Sequence, residues 1–183
     1  MLGNFIGILL YSLGLASLAL ADEPVRSPYT GQELRSIKSL SDGDVQDLLA
    51  GRGMGLAKTA ELNRYPGPAH VLELADRLDL TQDQKARTEA LFKRMETDAR
   101  GLGRALVDQE TTLDRLFASR RITREQLAAM LEQIGRLQGQ LRQVHLDAHL
   151  AEAEILAPEQ IKRYDVLRGY GTGATHDPGS HKH

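Results

Sequence analysis

His145 and His149, four residues apart in the stretch RQVHLDAHLAEAEI, are the side chains best spaced for chemistry in this 183-residue chain. On a helix, positions i and i+4 project from one face, a spacing that lets two imidazoles chelate one divalent transition ion such as Zn, Ni, Co or Cu. Glu152 falls on the same side, one turn further on. His70 and Glu73, in RYPGPAHVLE, are also one turn apart and would complete a ligand set if their segment packs nearby. His176, His181 and His183 offer either weak metal binding or a solvated tail. The chain has no cysteine, which excludes disulfides, thiolate ligands and cysteine nucleophiles. Neither HExxH nor a nucleophile elbow is present, and the carboxylates alternate with Lys and Arg as on solvated faces, so no enzyme is expected. Gly51, Gly53 and Gly55 lack the GxGxxG spacing and follow no strand-like run, which marks a flexible or broken helix rather than a phosphate loop.

The histidine pair lies in the most regular part of the chain. From Thr123 to Ile155, the residues Leu127, Met130, Ile134, Leu137, Leu141, Val144, Ala148, Ala151 and Ile155 recur in steps of three and four, a heptad seam. His145, His149 and Glu152 flank that stripe, which predicts them at the rim of its contact face. From Thr81 to Phe117, Leu91, Met95, Ala99, Leu102, Leu106, Leu113 and Phe117 form a second stripe. The link ASRRI is too short for anything but a reversal, so the two segments should form an antiparallel hairpin with arms roughly 50 Å long.

Shorter helices flank it. SLSDGDVQDLLAGRGMGLAKTAELN reads as one helix that kinks or frays at its glycines, with order starting at Ser41. Pro68 opens a short helix to about Arg77, and Pro158 opens a last one to Arg168. The expected fold class is all-α, a long antiparallel helical hairpin plus shorter flanking helices, four to five in all, over residues 40–168. A helix pair cannot bury a full core, so the flanking helices or a second subunit must cover it. Gly135 and Gly139 form a GxxxG step away from the seam, either as tolerated exposed glycines or as a close dimer contact.

The first 21 residues carry no charge and end in Ala-Leu-Ala before Asp22, the small-x-small pattern of a secretory signal cleaved after Ala21. Left uncleaved, the same run is long enough to anchor the chain in the inner membrane. Residues 22–39, with Pro24 and Pro28 and no sustained period, read as an extended leader, and the Gly- and His-rich end, 169–183, as a disordered tail. The net charge of −2 is dispersed in both signs, and no nucleic-acid footprint is expected.

Helix-start signals recur. In LTQDQ, Thr81 can cap the backbone while Gln84 reaches back to it, a capping box repeated by Thr123 with Gln126 and, more loosely, by Ser41 with Asp44. LAPEQ, Leu156 to Gln160, copies the first motif with Ala157 in place of the capping hydroxyl and Pro158 preset for the first turn. Two such motifs in a cysteine-free helical chain with an expected export signal resemble the Spy/CpxP-like periplasmic LTxxQ family, related to periplasmic heavy-metal sensor proteins. Leu80, Thr81 and Gln84, then Leu156, Pro158, Glu159 and Gln160, occupy its signature positions, and Ala157 departs from it. The resemblance implies a cradle-like, hairpin-based homodimer in the periplasm. Such a dimer binds unfolded client proteins without ATP or damps an envelope-stress sensor. The alternative it implies is a heavy-metal-binding sensor or resistance protein using helix-borne histidines. No cofactor is required by the first reading, and a divalent transition metal is required by the second.

Overall fold

The computed structural model describes residues 26–170; the expected signal or anchor segment and nearly all of the expected tail, with His176, His181 and His183, lie outside them. Residues 26–30 make a separate short turn closed by the Thr30 N–H on the Ser27 carbonyl at 3.1 Å. Residues 31–170 fold as one all-helical unit: α1 (Asp42–Ala50), α2 (Lys58–Leu62), α3 (Pro68–Glu73), α4 (Gln82–Ala118), α5 (Arg124–Ile155) and α6 (Pro158–Leu167), preceded by a 3-10 turn at Gln32–Leu34.

The hairpin is present as expected. Thr81 and Thr123 start α4 and α5 through complete capping boxes, each hydroxyl accepting the backbone N–H three residues on and each glutamine closing the loop. The two helices pack along their apolar stripes. Leu91, Ala99 and Leu106 of α4 are buried, as are Ile134, Leu137, Leu141 and Ala148 of α5. Two apolar clusters hold the flanking helices. One joins Leu48 of α1 to the middle of the hairpin; the other, at its base, gathers Val71, Leu78, Leu156 and Tyr164.

Three boundaries differ from the sequence reading, each for a local reason. The N-terminal helix is two helices, because Gly51 turns left-handed at φ 69° and its N–H closes onto the carbonyls of Asp47 and Leu48. Met54 and Gly55, at φ 46° and 76°, then reverse the chain before α2. The helix from Pro68 stops at Glu73 rather than near Arg77. Turns replace it, with Leu78 N–H on the Leu74 carbonyl at 2.9 Å and Asp79 left-handed at φ 51°. Order also begins before Ser41. Ile37 is buried, and Lys38 meets Asp114 of α4 through its backbone N–H and its ammonium, both at 3.2 Å. The end of the leader is therefore docked on the hairpin.

One glycine decides how close α1 comes. A Cβ on Gly103 would sit 2.1 Å from the Leu48 carbonyl oxygen, so only a bare backbone admits α1 at this crossing. Gly135 and Gly139, the GxxxG pair of α5, face open space within the chain.

Candidate functional site

A cavity of about 630 Å³ lies between the glycine loop after α1, the start of α3, and the middle of α4 and α5. Phe92 and Met95 contribute apolar wall, and His70, His145 and His149 all line it. The structure thus brings three of the five residues expected to bind metal onto the cavity wall and leaves Glu73 and Glu152 off it. Glu73 points away, 66% exposed, and pairs with His70 at 3.0 Å on its own helix. Glu152 is not on the cavity wall.

His145 and Glu152 are not rim residues. His145 is 4% exposed and Glu152 is fully buried, because the α1–α3 strand of short helices and loops covers this flank of α5 while Thr88 of α4 closes over Glu152. The seam identifies which residues face α4; it is silent about a third layer laid against the side of the pair. Burial has electrostatic consequences. Desolvation, reinforced by the neighbouring His149, lowers the His145 pKa and favours the neutral ring. Desolvation raises Glu152 from 4.5 to about 7 against the opposing effect of the Thr88 hydroxyl, which donates to it at 2.9 Å.

His149 is held by the backbone. Its Nδ1 lies 2.7 Å from the Tyr65 carbonyl oxygen, which only accepts, so Nδ1 carries the proton and Nε2 of the neutral ring is the free acceptor. The ring edge packs against Gly67, where a Cβ would lie 2.8 Å from Cε1. A metal could be offered lone pairs by His149 Nε2 and by His145, yet among the described residues no three His, Asp or Glu side chains converge as a ligand set.

Glu61 is the organising residue that the sequence did not single out. Its Oε1 accepts from the Tyr164 hydroxyl at 2.7 Å, Arg168 Nε at 3.2 Å and the Tyr170 hydroxyl at 3.3 Å, while Oε2 faces His149 Nδ1 at 3.9 Å. It ties α2 to α5 and to the C-terminal end of α6. Burial, with Glu61 adding to it, pushes the Tyr164 phenol far above its ordinary pKa and keeps it a donor. In sequence, Glu61 is one acid among many on a short polar helix, and nothing in its spacing points to this role.

The two motif copies meet. Leu80 and Leu156 share the basal apolar cluster, and the side-chain amides of Gln84 and Gln160 pair reciprocally, at 2.7 Å and 3.0 Å. Each glutamine also closes its own helix start, Gln84 on the Thr81 N–H and Gln160 on the Ala157 N–H, and each donates to a backbone carbonyl, Ile155 and Leu78 respectively. The missing hydroxyl at Ala157 removes one half of the second box, and the Gln160 half remains. Pro158 occupies the first turn, and Glu159 is exposed beside Lys162. No protein-family model, curated protein or solved structure matches the chain.

Proposed function

We propose that this is an exported, non-catalytic helical holding protein, a periplasmic ATP-independent chaperone or envelope-stress modulator of the Spy/CpxP-like kind, acting as a homodimer. The observation that carries the reading is the distal half of the hairpin, which the short helices leave uncovered and only the end of the leader touches, at Glu110 and Asp114. Between Val107 and Gln133 no residue is buried. Leu113, Leu116, Leu127 and Met130 are half-exposed, and Phe117 and Leu131 are 53% and 51% exposed. Shallow apolar patches of this kind capture transiently exposed apolar segments, and a second copy laid against them would form a cradle. Charges scattered between them, such as Asp108 and Glu132, keep binding weak and release fast. The partners are unfolded clients or an envelope-stress sensor.

Aggregation of a chemically unfolded test protein, followed by light scattering without metal, tests this. Suppression is expected, and Met130→Gln with Leu131→Gln should weaken it several-fold without loss of helicity. No suppression by the unaltered protein would sink the reading.

A second reading, a metal-responsive sensor or buffer, is favoured by the three histidines on one cavity wall. In that case His145→Ala with His149→Ala abolishes Zn, Ni, Co or Cu uptake, whereas client holding by the same variant stays intact under the first reading.

A further inference from the structure

The apex of the hairpin is basic although the chain as a whole is slightly acidic. From Arg115 to Arg124 the sequence is RLFASRRITR, with four arginines and no carboxylate. All four are exposed, and none forms an ion pair among the described residues. Further down the arms, Arg87, Arg100 and Arg136 each meet a carboxylate four residues away. The nearest acid on the α4 side, Asp114, is taken by Lys38. Glu125 alone stands next to the cluster.

Apolar groups are set among these charges. Phe117 is 53% exposed, with Leu116 and Ile122 partly exposed beside it. The apex is also held in shape. Arg120 is left-handed at φ 54°, its N–H bonds to the Phe117 carbonyl at 3.0 Å, and the Arg121 N–H bonds to the Leu116 carbonyl at 3.1 Å. Arg120 and Arg121 in the turn, and Arg115, Phe117 and Arg124 on the adjoining helix ends, are thus presented together at the end of a rod roughly 50 Å long.

We propose that this apex docks on an anionic lipid bilayer, its arginines engaging headgroup phosphates while Phe117 enters the interface. Arginine forks match phosphate oxygens, and clustered cations are drawn to a negative leaflet surface. A soluble anion would engage the arginines alone; the interfacial region of a bilayer takes the cations and the phenyl ring set among them. The apex shares Leu116 and Phe117 with the client-holding surface, and the proposal is carried by the arginines, which client holding does not use.

The test is co-sedimentation of the full chain with phosphatidylcholine vesicles, with and without added phosphatidylglycerol. Neutral vesicles report any contribution of the apolar residues 1–21, and the difference belongs to charge. Binding should rise tenfold or more with the anionic lipid, fall as salt is added, and lose that gain in Arg120→Glu with Arg121→Glu, whose sites lie in the link outside both helices. The chain has no tryptophan, so Phe117→Trp reports the apex alone. Its emission should shift blue on anionic vesicles and not with polyglutamate. Equal binding to both vesicle types, an unaltered gain in the charge-reversal variant, or the same Trp emission with vesicles and polyglutamate would each overturn the proposal.

Discussion

Glu152 carries a carboxyl group in the place of a core residue, and its proton belongs to the fold. With its folded pKa up at about 7 against an ordinary 4.5, the folded chain holds the proton over a range in which the unfolded chain has released it. Its contribution is full below 4.5, is lost as pH rises through about 7, and is constant above that. The interval corresponds to at most about 3 kcal/mol. Glu152→Gln keeps an oxygen for Thr88 and removes the ionisation. Urea denaturation from about pH 5 to about pH 8 should show the variant losing less stability with rising pH than the parent; identical slopes would mean that Glu152 titrates in the folded state as it does in water. His145 acts in the opposite direction. Its lowered pKa costs stability as pH falls below 6.5, where the unfolded chain binds the proton that the buried ring refuses.

The starts of α4 and α6 are joined by one amide pair, so the second motif copy does more than open a helix. Gln84→Ala or Gln160→Ala strips a cap contact and leaves the opposite glutamine with one partner fewer, a loss of about 1–2 kcal/mol each. Because the two side chains bond to each other, a double-mutant cycle should show coupling of at least about 0.5 kcal/mol; strict additivity in chemical denaturation would show that the pair contributes nothing beyond two separate caps. Sequence shows why each glutamine closes its own helix. It does not show that the helix starts, 76 residues apart by Gln84 and Gln160, face each other. Element ends were equally uneven in legibility. The capping threonines place the starts of α4 and α5 to the residue, whereas the end of the first helix is not legible, because a glycine inside a periodic run reads the same whether it is tolerated or turns left-handed, as Gly51 does.

Over the whole molecule, burial is polarised along the hairpin. The buried residues of α4 end at Leu106 and those of α5 begin at Ile134, and the short helices gather around the other end. Backbone amides in a region with few buried apolar contacts open more readily. Native-state hydrogen exchange should therefore run faster across residues 107–133 than across 88–106 and 134–152. Uniform protection along both arms would mean that a second copy or another partner covers the distal half, and its concentration dependence would identify which.

What could be read from the order of residues was whatever depends on neighbours in the chain: helical periodicity, caps, the short reversal between the arms and the absence of thiol chemistry. These follow from backbone geometry over a few residues. The burial of His145 and Glu152, the convergence of three histidines on one cavity, the gathering of Tyr164, Arg168 and Tyr170 around Glu61 and the pairing of Gln84 with Gln160 came from packing. Each joins segments far apart in sequence, and each depends on which flank of the hairpin the short helices cover, a choice made by long-range close contacts such as Gly103 beneath Leu48 rather than by any local pattern.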